Sequence, residues 1–377
     1  MRALLLPLLL PSLCFAELPH PLKQADGTVI TTKEQWEKTL RPETLQHFRE
    51  NIYGVTPIGK PEGFKATVTR EIPDALDGKA TVKFVEITFN TPKGERTIRP
   101  VVILPNDAKK PVGAFLLINN RSPKLLDPGN PNEFFPVREI IGRGYAAVGF
   151  HYGDVDIDKK DGYAQGVRAQ YDPEKPADNA WASVAAWAWG ASRVLDYIGA
   201  EPRIDANKVA VVGHSRGGKT ALWAGAEDTR FALVISNDSG CTGAAISRGK
   251  VGESVAKING SFPHWFTTNY KKYSGNEEAL PVDQHQLVAL IAPRPAYVAS
   301  AIEDTWADPK SEFRSCVEAA PVYALYGLKT VETKEFPAIG TSLHGGQVGY
   351  HVREGNHDLK LVDWTRFMDF ADAKGLR

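Results

Sequence analysis

The segment Val211-Val212-Gly213-His214-Ser215-Arg216-Gly217-Gly218-Lys219-Thr220 constrains this chain more than any other. Residues 208–212 read as the end of a buried strand. A Gly-x-Ser-x-Gly turn follows, with a helix opening at Lys219. A serine on a strand-to-helix elbow is held exposed in a strained conformation, as a nucleophile requires. The turn itself demands the flanking glycines, because side chains there would clash with strand or helix. The helix start behind Ser215 adds free N–H groups and a partial positive charge suited to an oxyanion.

The rest of the chain supplies a sheet for that elbow. Residues 17–60 are Pro-rich, with a helical stretch over 33–53. Between residues 64 and 104 apolar and polar side chains alternate. Residues 80–89 and 96–104 flank a Pro92-Lys93-Gly94 turn, the pattern of an antiparallel hairpin with one wet face. Continuous apolar runs at 112–118 and 145–150 suit strands buried on both faces. A helix is predicted over 177–198, where Trp181, Val184, Trp187, Leu195 and Ile198 trace one face. Further strands are expected at 231–236, 295–300 and 333–336, and helices at 283–290 and 361–373. Antiparallel entry followed by alternating strands and helices predicts an α/β-hydrolase fold. This is a three-layer αβα sandwich with a mostly parallel central sheet and an N-terminal antiparallel hairpin, as a single catalytic domain over residues 17–377.

Met1-Arg2-Ala3 precedes an apolar run at 4–13 that ends at Cys14-Phe15-Ala16, the pattern of a secretory signal peptide over residues 1–16. The run is too short to span a membrane, and Leu13 is larger than a lipidation site at Cys14 favours. A soluble, secreted or periplasmic product is expected. With 45 basic and 45 acidic residues the chain lacks the basic excess of a nucleic-acid binder. Eight tryptophans suit a sugar-facing surface, although any single indole is more often core. No Cys/His cluster has zinc spacing and no Gly-rich run matches a nucleotide fingerprint, so a site without metal or cofactor is expected. Cys241 and Cys316 lie outside the signal segment, and an oxidising compartment would let them pair.

On this fold the partners of the nucleophile follow it in the order acid, then base. Histidines 264, 285, 344, 351 and 357 come after Ser215. His285 lies in an apolar helical pattern and reads as structural, and His264 beside Trp265 reads as a substrate contact. His357 lies in the polar loop Arg353-Glu354-Gly355-Asn356-His357-Asp358 just before the last helix, where an imidazole can reach over a serine. It is the first choice for the base, with His351 second. Two acids stand just past successive strands: Asp238 in Ser236-Asn237-Asp238-Ser239-Gly240, and Asp304 in Ala301-Ile302-Glu303-Asp304-Thr305-Trp306. Either could accept the imidazole N–H, and each could equally be a turn cap.

With these residues in hand, the chain resembles the glucuronoyl esterases, carbohydrate esterase family 15, especially their bacterial members. The resemblance runs from about residue 152 to the C-terminus. It rests on the elbow, on Ile235-Ser236-Asn237-Asp238-Ser239-Gly240, on Phe262-Pro263-His264-Trp265 and on Leu280-Pro281-Val282-Asp283-Gln284-His285. Ala292-Pro293-Arg294-Pro295 and Trp306-Ala307-Asp308-Pro309 complete it. It implies metal-independent serine hydrolysis of an ester between glucuronic acid, often 4-O-methylated on xylan, and an alcohol such as those of lignin. Glucuronoxylan and lignin–carbohydrate esters are the implied partners, for a chain expected to be monomeric. Ser215 would attack, His357 would shuttle the proton, and Arg216 would hold the oxyanion. Lys219 would bind sugar hydroxyls, one helical turn from Ser215, while Glu253 and Trp306 would contact the uronate. The position of Asp238 is often Glu in the family, which favours Asp304 as the stronger acid with Asp238 assisting. Cys316 matches a half-cystine of fungal relatives whose partner position falls on Ile246 here, so a Cys241–Cys316 bridge remains an expectation. An acetyl or feruloyl xylan esterase shares the fold, and a binding protein with a decayed site is the non-enzymatic alternative.

Overall fold

The computed structural model describes residues 17–377. The export signal expected over residues 1–16, with Cys14, lies outside the described residues. The strands are β1 (Lys65–Ala75), β2 (Ala80–Thr91), β3 (Gly94–Ile98), β4 (Val101–Pro105), β5 (Val112–Asn119), β6 (Ala146–His151), β7 (Ile204–His214), β8 (Leu233–Asn237), β9 (Ala296–Ala301), β10 (Ser342–Leu343) and β11 (Val348–Arg353). They form one mixed open sheet in the order β1-β2-β4-β6-β5-β7-β8-β9-β11-β10, with β3 paired to β2. The block β6-β5-β7-β8-β9-β11 is parallel, and both flanks are antiparallel. This is the α/β-hydrolase architecture.

Alternation across the pleat builds the three layers. Ala114, Leu116 and Ile118 of β5 pack toward the helices Ser183–Ile198 and Arg216–Glu227. Phe115 and Leu117 point the other way, into a second cluster with Ile140, Ile141, Trp364 and Phe367. Strands covered on both faces need no polar side, which is why β5 and β6 read as unbroken apolar runs.

Several boundaries differ from the sequence expectation. The helical stretch over 33–53 is present, but two α segments (Lys33–Gln35 and Arg41–Phe48) alternate with two wider π turns (Trp36–Leu40 and Arg49–Tyr53). The helix expected from residue 177 starts at Ser183. Ala182 is extended and gives its N–H to the Tyr53 carbonyl, and Ser183 gives its own to His264, so long-range bonds hold the preceding residues out of the helix. The helix after Ser215 begins at Arg216, three residues earlier than expected, because Gly217 and Gly218 disguise its first turn. Residues 333–336 form no strand. The last long strand is instead β11, with the short β10 outside it; His351 and Arg353 of β11 are buried and paired and so break the apolar pattern that normally marks a strand.

Of the eight tryptophans only Trp306, 51% exposed, stands out from the surface; the others are core. No helix among the described residues is long and apolar enough to cross a membrane. The expected Cys241–Cys316 bridge is not formed: both are buried free thiols. Cys316 sits in the helix Pro309–Glu318 and points its thiol at the Glu312 carbonyl one turn back, at 3.5 Å, while Cys241 lies against Thr242 Oγ1 at 3.6 Å. Burial pushes the Cys241 thiol up to about 11 and that of Cys316 higher still. Thiol titration of unreduced, denatured protein is expected to count both. Native protein at neutral pH should react slowly, because a protonated buried thiol is a poor nucleophile. A count of zero after denaturation would restore the bridge.

Candidate active site

Ser215 stands at φ 56° and ψ −124°, a conformation that costs on the order of 1–3 kcal/mol outside glycine. The surrounding bonds hold it there. Its N–H donates to the Asn237 carbonyl at 2.9 Å, and its own carbonyl accepts from Gly218 and Lys219 at 2.9 and 3.1 Å. A Cβ at Gly213 would collide with the Gly217 carbonyl, so glycine is obligatory where strand and helix cross. The N–H groups of Arg216 and Gly217 precede the first intrahelical bond and are left to face whatever sits at the elbow.

His357 and Asp304 arrive on neighbouring loops, after β11 and β9 respectively. His357 Nδ1 lies 2.6 Å from Asp304 Oδ2, and Asp304 Oδ1 accepts the Ala307 N–H at 3.1 Å. Burial opposes ionisation of Asp304, but the bond from His357 and its charge hold this carboxyl below the usual range. The His357 ring packs on that of His214 at 4.5 Å. Burial, with His357 alongside, drives the His214 pKa well down, so this neighbour is neutral. His214 Nδ1 donates to Asn237 Oδ1 at 2.6 Å, and its Nε2 faces an Arg121 donor at 3.4 Å.

Asp238 lies in the same cluster, each of the three groups having an atom within 4.8 Å of the others. Its oxygens, however, go to the Ala301 N–H at 2.6 Å and to Arg353 at 3.4 Å, not to His357. Burial, then the nearby Glu312, Asp363 and Asp304 carboxylates, raise its pKa well above the ordinary value despite Arg353. Of the remaining histidines, His351 is buried against Asp363 and Tyr297, at 2.8 and 3.0 Å, and is not at the elbow. His285 bonds the Pro19 carbonyl and His344 the Tyr297 hydroxyl, both at 2.9 Å.

Arg353, which the sequence marks only as the start of a polar loop, holds the His357 segment in shape. Its Nε donates to both oxygens of Asp363 at 3.0 Å. Its two terminal nitrogens reach the carbonyls of Glu354, Asn356 and Asp358 at 2.9, 3.1 and 2.6 Å, and Asp238. All five N–H groups are thus committed. The exposed Arg121–Asp358 pair, at 2.8 Å, contributes on the order of 0–1 kcal/mol to the same segment. Breaking a buried pair such as Arg353–Asp363 costs about 3–5 kcal/mol, so Arg353 dominates.

Ser215, Arg216, Lys219, Glu253, Trp306 and His357 line one cleft of about 320 Å³. A larger cavity of about 680 Å³, beside Phe84 and Arg138, holds none of them. Lys219 is buried, and burial lowers its pKa; its ammonium donates to the carbonyls of Ser239 and Cys241, both at 2.5 Å, with Glu253 at 3.9 Å. It therefore stitches the helix Arg216–Glu227 to the loop after β8 as well as lining the cleft. Glu253 N–H donates to the Trp306 carbonyl at 3.0 Å, joining the two loops that carry these side chains. Lys257 covers the Trp306 ring at 4.6 Å.

His264 does not line the cleft, contrary to the expected substrate contact. The turn over 262–265 stacks Phe262 on Trp265 at 3.8 Å and sends His264 behind them, where its Nε2 meets Asp158 Oδ1 at 2.8 Å. Asp158 also pairs with Arg216 and accepts from Trp265 Nε1 and Tyr152 OH, at 2.7 and 2.8 Å. Burial works against its charge, but the bonds from His264, Trp265 and Arg216 keep its pKa far below the ordinary carboxylate value. Sequence reasoning missed Asp158, since a lone acid in an Asp- and Lys-rich loop carries no motif.

Known proteins resemble this chain along most of its length. A family model described as glucuronyl esterase of fungi matches residues 85–327. The carbohydrate esterase MZ0003 of an unknown prokaryotic organism is 38% identical over 94% of this chain and 89% of its own length. A glucuronoyl esterase from Solibacter usitatus superposes with a TM-score of 0.88 at 37% identity, covering 95% of this chain and 98% of that one. A glucuronoyl esterase variant from Sporotrichum thermophile, solved with methyl 4-O-methyl-β-D-glucopyranuronate, superposes at 0.65 with 25% identity, covering 83% and 79% of the two chains. The chain belongs to the glucuronoyl esterases of carbohydrate esterase family 15, a family of carboxylic ester hydrolases.

Proposed function

We propose that this protein hydrolyses esters joining the carboxyl of glucuronic acid or 4-O-methylglucuronic acid on glucuronoxylan to lignin alcohols, with Ser215 as nucleophile. His357 takes the Ser215 proton as the oxygen attacks the uronate carbonyl, and Asp304 fixes the imidazole tautomer and balances its charge. The oxyanion of the tetrahedral intermediate forms beside Arg216 and the helix-start N–H groups, which act where charge develops. Collapse breaks the carbonyl–alkoxy bond, and the leaving alcohol collects the proton from His357. Water then repeats the sequence on the acyl-enzyme, releasing the uronate and freeing Ser215. Glu253, Lys219 and the exposed Trp306 bind the sugar, the indole offering a flat apolar face to the ring. Residues 17–377 act as one exported catalytic unit, working as a monomer without metal or cofactor.

The observation that carries this reading is the strained Ser215 sharing one cleft with the 2.6 Å His357–Asp304 bond. The relative solved with a methyl glucuronate ester supports the substrate class. The test compares benzyl glucuronate, methyl glucuronate ester, acetylated xylan and a feruloyl ester. The uronate esters should be turned over fastest; preference for the acetyl or feruloyl substrate would overturn the assignment.

A further inference from the structure

Asp158 sits on the loop after β6, 9% exposed at its side chain, and four donors converge on it. Tyr152 OH and Arg216 Nη1 share Oδ2, while His264 Nε2 and Trp265 Nε1 share Oδ1. Two donors on each oxygen exhaust what a carboxylate accepts, so its orientation is fully determined. Arg216 is fixed in turn. Its guanidinium lies over Trp265 and Phe262 at 4.7 and 5.4 Å, is anchored end-on by Asp158, and keeps a buried Nε without a protein partner. We propose that Asp158 positions the Arg216 guanidinium and cancels its charge, so that the cleft favours the neutral ester over the anionic uronate product. This inference rests on the reading of Arg216 as the oxyanion partner.

The chemistry asks for such an arrangement. Hydrolysis turns a neutral ester into a carboxylate, and an unpaired arginine binds carboxylates strongly through parallel N–H bonds. A free guanidinium beside Ser215 would therefore retain the product as well as stabilise the transition state. Paired with Asp158, it presents directed N–H groups with no net charge. Those donors still meet the short-lived oxyanion at the elbow, while long-range attraction for the released acid is cancelled.

The test measures kcat and competitive inhibition by glucuronate relative to its neutral amide. Asp158→Asn is expected to lower kcat about tenfold and to tighten glucuronate about tenfold relative to the amide. Asp158→Glu keeps the charge while displacing it, and should lower kcat with the wild-type inhibition ratio. Should the Asn variant not fold, the wild-type enzyme decides: glucuronate inhibition should change less than twofold between about 20 and about 500 mM salt. An unchanged ratio in Asp158→Asn, or strong salt dependence in the wild type, overturns the inference. Full activity of Arg216→Ala would instead overturn the oxyanion reading itself, whatever Asp158 does.

Discussion

Ser215→Ala is expected to reduce kcat on a glucuronate ester by about four to six orders of magnitude while leaving sugar binding intact. The hydroxyl is the only group the substitution removes, and the elbow is held by backbone bonds that alanine keeps: Ser215 N–H to Asn237 and Ser215 C=O to Gly218 and Lys219. Fold and cleft therefore survive, and calorimetry with the intact ester should give an affinity within a few-fold of the wild-type KM. Percent-level turnover by the pure variant would mean that another group attacks.

The second large effect separates the two acids. Asp304→Asn is expected to cost about 10³–10⁴ in kcat, because the imidazole loses both its charge partner and its fixed tautomer. Asp238→Asn should cost less than about tenfold. Its Oδ1 keeps the Ala301 N–H bond, and its partners are backbone and Arg353, not His357. Equal losses, or the reverse order, would reassign the acid. A thermal arm has a definite sign. The folded Asp304 pKa is depressed, so its stabilisation is complete above the ordinary carboxylate range and disappears as pH falls through the depressed value. Asp304→Asn should therefore lower Tm near neutrality and converge with the wild type in acid.

The elements that could be read from sequence are those in which one physical demand dominates. β5 and β6 must be apolar on both faces, the hairpin on one, and the helix Leu361–Ala373 along one stripe, so their patterns are plain. The Ser215 elbow was legible because its glycines answer a local collision. What stayed hidden depends on partners far along the chain. β11 carries His351 and Arg353 inside the core because Asp363 satisfies both. The start of the helix Ser183–Ile198 is set by Tyr53 and His264. Beside Trp265 in the sequence His264 reads as a substrate contact, yet in the structure Phe262 and Trp265 line the cleft and His264 bonds Asp158. Asp158 itself is 58 residues from Arg216, and nothing in its own neighbourhood announces the pairing.

The guanidinium of Arg353 grips the loop around His357 through carbonyl oxygens, which every residue type presents alike. The grip itself therefore does not depend on which side chains Glu354 and Asn356 carry. Exchanging Glu354 and Asn356 for residues of different charge or bulk is expected to leave His357 in place. The exposed surface beside His357 thus becomes one that can be redecorated, by evolution or by design, without disturbing what supports the imidazole.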